Sequence, residues 1–194
     1  VAIFFLAGHE TSASALAWAL YLLALFPEAQ ERVAAEAAAL PESFGFADMG
    51  RLRFTRDVFR ETLRLYPPVP MMVRETTCPE RFRDRDIPVG SQIVVSPWHM
   101  HRHTRLWERP DDFDPDRYAQ ENGKRCLREA FIPFSAGAGV CTGAGFAMME
   151  GTVLLAMLVR AFRFERIDGD DPVPVAYLTV RARDGIRLRV TARE

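Results

Sequence analysis

From Val1 to Phe26 apolar residues stand on nearly every face of a helix, Phe4, Phe5, Leu16, Trp18, Leu20, Leu22 and Leu23 among them. A helix of that kind has to be enclosed by other elements, so the pattern predicts a segment that crosses a core and is buried all round. Ala7-Gly8-His9-Glu10-Thr11 interrupts it, and a glycine there costs about 1 kcal/mol relative to alanine. Gly8 either lets a flat ligand or a diatomic approach the backbone, with the Thr11 hydroxyl beside it and Glu10 as a proton source, or serves a close helix crossing with a back-bonded threonine. On the residues alone both stay open. The run begins with Val1 rather than Met and shows no cap or preceding turn, which gives it the texture of a segment cut from a longer chain.

Pro27 ends this helix and opens a surface helix whose inner line is Ala29, Val33, Ala37 and Leu40. After a Pro/Gly-containing loop, Thr55 is the expected N-cap of a helix through Leu65, stopped by Pro67 and Pro68. Met71 to Thr76 and Gln92 to Ser96 read as strands, and His101 to Pro133 as a long irregular stretch whose Trp107, Phe113, Tyr118 and Phe131 keep it packed. A second, almost wholly apolar helix runs from Gly143 to about Phe162, followed by strands at Ala176 to Arg181 and Ile186 to Val190. The 25 basic and 26 acidic residues among 194 leave a net charge of -1 and no field that draws nucleic acid. Cys78, Cys126 and Cys141 are odd in number, far apart and without a CxxC pair, against a disulfide framework or structural zinc. The opening run is too short and lacks the flank for an anchor or signal peptide, so no membrane segment is expected in this chain.

Two further constellations carry chemistry. Phe134-Ser-Ala-Gly137-Ala-Gly139-Val-Cys141-Thr-Gly143 is a glycine-rich loop leading into the second apolar helix through Ala147 and Glu150. Backbone N–H groups in such a loop and at the helix N-terminus stabilise an anion, which holds a cysteine as the metal-binding thiolate. A buried structural cysteine beside a tight turn is the alternative. Glu61-xx-Arg64 puts an ion pair on one helix face. Its position beside the proline stop lets it be buried, with a further partner from Trp107-xx-Pro110-xx-Phe113-x-Pro115-x-Arg117.

In order and spacing these pieces resemble the cytochrome P-450 family across almost the entire chain: an oxygen-binding helix at Ala7–Thr11, the ExxR helix, the meander arginine motif and the haem signature at Cys141. The resemblance implies a mainly α fold with small β-sheets, one partial domain over residues 1–194 that forms the C-terminal portion of the cytochrome P-450 fold. It implies haem b with iron on the Cys141 thiolate, contacts from Ala7, Gly8, Phe134, Gly137 and Gly143, and a propionate-binding Arg74. Glu10 and Thr11 then relay protons, while Glu61, Arg64 and Arg117 form a structural triad. The implied activity is a monooxygenase inserting one atom of O2 into an apolar small-molecule substrate, bordered by Met71–Val73 and Tyr177-Leu178. A separate ferredoxin or flavoprotein reductase donates the electrons, with Lys124, Arg125 and Arg128 as a basic docking patch. A bacterial-like, cytoplasmic enzyme fits the Ala/Arg-rich texture, an anchor upstream of Val1 remaining compatible. A non-catalytic haem-binding remnant is the competing expectation. One departure stands out: the family's usual arginine two residues before the cysteine is Gly139. A lost charge-assisted bond there weakens haem retention by roughly 1.5–3 kcal/mol unless another donor replaces it.

Overall fold

A computed structural model describes residues 2–169 and 171–193, with side chains from Leu6 onward. Helix α1 (Ala2–Leu25) stops before Pro27, which occupies the first turn of α2 (Pro27–Ala38), and the two axes bend by 114°. Trp18, Ala19, Leu22 and Leu23 lie in the core, whereas Leu6 is 69% exposed. Burial of α1 is thus one-ended rather than all round, because nothing approaches within 4 Å of where a Gly8 Cβ would stand. The expected start at Val1 and the burial of Phe4 and Phe5 lie outside what is described.

Helix α3 (Arg53–Leu65) starts three residues earlier than an N-cap at Thr55 requires, its N-cap being Leu52, and Thr55 is buried inside it. Its end is capped from another helix. Glu36 of α2 accepts the Phe54 and Thr55 N–H groups and the Thr55 hydroxyl, each at 2.8 Å. A carboxylate at the positive end of the helix dipole replaces the local cap. Buried Gln30 of α2 works similarly on β5 (Phe162–Arg166). It donates to the Leu23 and Phe164 carbonyls at 2.9 and 2.8 Å and accepts the Phe164 N–H at 2.9 Å.

The short strands form antiparallel pairs: β1 (Met72–Glu75) with β4 (Gln92–Val95), β2 (Glu80–Phe82) with β3 (Arg85–Ile87), and β5 with β8 (Leu188–Ala192). The strand expected over Ala176 to Arg181 is two strands, β6 (Pro174–Ala176) and β7 (Val180–Ala182), because the Tyr177 N–H donates to the Thr179 carbonyl and folds the chain back. Nor is His101 to Pro133 irregular throughout. After the single-turn α4 (Pro97–Met100) it holds a 3-10 turn at Pro115–Ala119 and α5 (Glu121–Glu129). Gly123 hid that helix, since glycine is a poor helix former. Here it is required: a Cβ on it would sit 1.9 Å from the Arg117 carbonyl oxygen.

Helix α6 (Ala144–Ala161) is long and apolar enough by composition to cross a membrane. Its Gly151, Thr152, Leu155, Ala156 and Val159 are buried, however, and Leu155 and Val159 share one cluster with Val33 and Ala34 of α2, Phe59 of α3 and Ala15 and Ala19 of α1. That packing makes it a core helix. A Cβ at Gly151 would lie 2.1 Å from Phe59 Cζ. Gly151→Ala is therefore expected to lose about 1–3 kcal/mol by overpacking, measured by urea denaturation. Phe59→Leu in the same chain should recover part of that loss, and unchanged stability would refute so close an α3–α6 approach.

Candidate functional site

Glu61 and Arg64 project from α3 into a space closed by the stretch from His101 to Tyr118, and both are 0% exposed. Arg64 donates to both Glu61 oxygens, at 2.9 and 2.8 Å, and Arg117 Nε donates to Glu61 Oε1 at 2.9 Å. Tyr118 and the Asp114 N–H complete the carboxylate's shell at 3.0 and 3.1 Å. The remaining guanidinium protons go to main-chain carbonyls, from Arg64 to His101, Pro110 and Asp112, and from Arg117 to Glu108, Arg109 and Asp112. A buried ion pair needs such additional bonds to offset desolvation. Burial and the Glu61 charge hold the Tyr118 hydroxyl well above its ordinary pKa, so it stays a donor.

His101 joins this lattice to the chain entering the cysteine loop. Its carbonyl accepts Arg64 Nη1 at 2.8 Å, while its ring Nε2 accepts the Ile132 N–H at 2.9 Å. The accepting Nε2 requires a neutral ring with its proton on Nδ1, and burial, the dominant cause, pushes the pKa from 6.5 to about 3. The unfolded chain therefore binds a proton near pH 6.5 that the folded chain refuses. Stability is full above that pH and falls as pH drops toward 3. Between about pH 7.5 and 5 the loss from this residue is expected to be on the order of 2 kcal/mol. Urea midpoints across that range check it. His101→Gln should flatten the slope, and an unaltered slope would show that His101 titrates normally.

The loop itself is pinned by its backbone. The Cys141 N–H donates to the Phe134 carbonyl at 2.8 Å, and Val140 N–H to Gly137 at 3.1 Å. Phe134 is partly buried against the main core cluster. Gly137 has φ +68°, in the left-handed region that favours glycine, and a Cβ at Gly143 would stand 3.8 Å from Cys141 Sγ. The Cys141 thiol is exposed; Cys126 is buried with its Sγ 2.9 Å from the Leu106 carbonyl. Arg74, on β1, reaches over the loop, its Nη2 donating to Ser135 Oγ at 2.8 Å. Ser12, one residue after Thr11, donates to Glu150 of α6 at 3.0 Å and ties α1 to the helix that follows the loop.

On α1, the Thr11 hydroxyl donates to the Ala7 carbonyl at 2.8 Å, so its oxygen keeps acceptor capacity. Glu10 turns to the β6–β7 hairpin, where it accepts the Thr179 hydroxyl and pairs with Arg181 at 2.6 Å. The Thr179 bond first, and Arg181 second, hold its carboxyl below the usual range. It therefore rests ionised. Large apolar side chains around these parts are exposed: Leu6, Val73, Val140 and Phe146. Sequence patterns pointed to Cys141 and the Glu61 group, and the family resemblance to Arg74; Ser135, His101, Thr179 and Arg181 carried no signal, and Tyr118 only that of a packed aromatic, since each matters through a neighbour distant in the chain.

An exposed thiol on a glycine-rich loop, exposed apolar side chains, an arginine with spare donors and a helix without a side chain at Gly8 are thus what the described residues offer. The sequence model of the family Cytochrome P450 matches residues 1–188. Human cytochrome P450 4B1 is 35% identical over 191 residues, covering 96% of this chain and 37% of that protein. Cyclooctatin synthase of Streptomyces melanosporofaciens is 38% identical over 182 residues, covering 91% and 39%. The solved structure of retinoic-acid-bound cyanobacterial CYP120A1 superposes with a TM-score of 0.92 at 27% identity, over 98% of this chain and 45% of that one. The chain belongs to the cytochrome P450 family, and spans under two fifths of the length of these curated relatives, 37% and 39%. Its mainly α architecture with small sheets is that of the C-terminal portion of the family's fold.

Proposed function

We propose that the chain is the haem-holding part of a monooxygenase in which Cys141 is the axial ligand of haem b. The single observation that carries this reading is the exposed Cys141 thiol on a loop whose backbone is bonded to Phe134 and whose neighbours Gly137 and Gly143 leave sulfur and chain uncrowded. When bound, the haem supplies the reductive activation of O2, favoured by electron density from the thiolate. The chain's own residues do the rest. Ala7 and Gly8 leave α1 open for a small ligand beside the backbone, and Phe134 seats the loop on the core. Once its hydroxyl turns from the Ala7 carbonyl, Thr11 receives a proton on its oxygen and gives up its own, so that the hydroxyl is regenerated. Glu10, ionised at rest, takes part once Arg181 releases it, receiving a proton from solvent and passing it to Thr11. Arg74 holds a propionate, and the Glu61, Arg64 and Arg117 lattice keeps the ground under the loop rigid without touching the chemistry.

An apolar substrate suits the exposed Met71, just before β1, Val73 on β1, and Tyr177 and Leu178 at the hairpin tip, brought near each other where the Val180 N–H donates to Pro68. Lys124, Arg125 and Arg128 lie on the exposed face of α5, which suits an acidic ferredoxin or flavoprotein as the electron donor. A non-catalytic haem carrier is the rival reading, favoured by Gly139. The haem-loaded protein decides between them. Reduced and exposed to carbon monoxide it should show a red-shifted, thiolate-type Soret band. With a redox partner it should incorporate labelled oxygen from O2 into a substrate. A band without product selects the carrier, and no band sinks both.

A further inference from the structure

We propose that Trp18, Tyr66 and Tyr21 form a one-electron relay that drains an oxidising equivalent left unused at the haem into Tyr21, whose phenolic proton passes to Asp171. The proposal rests on the haem-thiolate reading above. The rings meet in series: Trp18 stacks on Tyr66 with centroids 3.9 Å apart and planes at 3°, and meets Tyr21 edge-on at 5.9 Å. Tyr66 in turn meets Trp98 edge-on at 6.1 Å. Trp18 is 1% exposed and stands two turns after Thr11 on nearly the same face of α1, about 10 Å away by the helical rise. Packing alone accounts for buried rings in contact. It does not account for the polar groups, which differ at the two ends. At the Trp98 end the Arg102 guanidinium lies 3.9 Å from the Trp98 ring centre and 5.9 Å from that of Tyr66, and a fixed cation opposes positive charge on either ring. The Tyr66 hydroxyl has no hydrogen-bond partner among the described residues, so its proton has no acceptor. At the other end the buried Tyr21 donates to Asp171 Oδ1 at 3.0 Å, and Arg166 holds the second carboxylate oxygen at 2.9 Å. Burial first, and this bond second, push the Tyr21 pKa up to about 12, so the phenol keeps its proton until an electron leaves. The charge therefore settles at Tyr21.

The electrons and protons balance. Trp18 gives one electron to a strong one-electron oxidant at the haem, and the stacked Tyr66 shares the resulting positive charge. Tyr21 returns an electron to Trp18 and releases its proton to Asp171, which leaves a neutral tyrosyl radical beside a neutral carboxyl. A dissolved thiol then supplies one electron, and Asp171 hands the proton back. One oxidising equivalent is consumed and the side chains are restored.

The test uses the haem-loaded, full-length protein, with each variant first checked for the thiolate-type carbon monoxide band. Hydrogen peroxide is added without substrate, and radicals in freeze-quenched samples are read by electron paramagnetic resonance, with ring-deuterated tyrosine for the assignment. The parent should give a tyrosyl signal that is lost in Tyr21→Phe. Trp18→Phe, with Tyr21 intact, should lose most of it, and both variants should bleach their haem several-fold faster. Tyr66→Phe keeps the ring and its packing, serves where Trp18→Phe fails to hold haem, and should lower the yield. A second readout does not depend on the haem: the same proteins are oxidised by photogenerated tris(bipyridine)ruthenium(III), and Tyr21 oxidation is taken as the difference from the Tyr21→Phe counterpart. Asp171→Asn should slow that oxidation about 10- to 100-fold, the equivalent of one charge-assisted hydrogen bond. Three results would overturn the proposal: a tyrosyl signal unchanged by Tyr21→Phe, a Tyr21 signal undiminished in both Trp18→Phe and Tyr66→Phe, or a Tyr21 oxidation rate unmoved by Asp171→Asn. Absence of the carbon monoxide band in the parent protein overturns the haem-thiolate reading instead, and removes the source of the relay with it.

Discussion

Cys141→Ser is expected to abolish the red-shifted Soret band of the reduced, carbon-monoxide-bound protein, whereas Cys126→Ser and Cys78→Ser leave it in place. The thiolate is the ligand form of cysteine, and a serine hydroxyl offers neither its acidity nor its softness. The three thiols stand in different surroundings. Cys126 is buried in α5 with its sulfur on the Leu106 carbonyl, and burial raises its pKa, so it stays a protonated core thiol. Cys78 is exposed beside Glu80, whose hydrogen bond and charge raise its pKa as well. Cys141 alone combines exposure with a loop fastened at both ends, by its own N–H to Phe134 and by the start of α6 behind it. Loss of the band in Cys126→Ser with retention in Cys141→Ser would overturn the assignment.

Glu61→Ala should have the largest effect on stability, a loss of about 3–5 kcal/mol in urea unfolding, because it leaves two buried guanidiniums facing each other without their carboxylate. Against a typical domain stability of about 5–15 kcal/mol, that brings the fold close to its limit. The exposed Glu121–Lys124 pair, 2.8 Å apart, is the internal control, and Glu121→Ala should leave the urea midpoint close to that of the parent. The damage should also spread to the cysteine loop, since Arg64 bonds the His101 carbonyl and the His101 ring holds the Ile132 N–H. A broadened Soret band in Glu61→Ala, absent in Glu121→Ala, reports that spread. Equal losses in the two variants would mean the lattice contributes no more than a surface pair.

Residue types that mark a candidate site were easier to read from the chain than the contacts that place them. Glu61, Arg64 and Arg117 announced themselves because buried charge demands particular residue types at particular spacings, Cys141 stood out as a candidate ligand by its glycine frame, and α1, α2 and α6 showed because apolar periodicity is a local property. The misplaced pieces share a different physical cause. Thr55 is a good cap by type, yet Glu36 from α2 took that role, and nothing near residue 55 in sequence encodes that arrival. Helix α5 was obscured by Gly123, which exists for the Arg117 carbonyl pressed against it. Strand β5 depends on Gln30, over 130 residues earlier in the chain, where 134 separate Gln30 from Phe164.

By itself, then, the sequence marked the candidates for the chemistry: a glycine-framed Cys141, a Gly8 gap beside Thr11, and an acidic residue paired with Arg64 on one helix face. These follow from residue type and local spacing. Only the tertiary structure decided the partnerships: that Glu10 rests paired with Arg181, that His101 stays neutral, and that Arg74 reaches Ser135. Each of those is a contact between segments far apart in the chain, whose energy depends on burial and angle, quantities that exist only once the chain has folded.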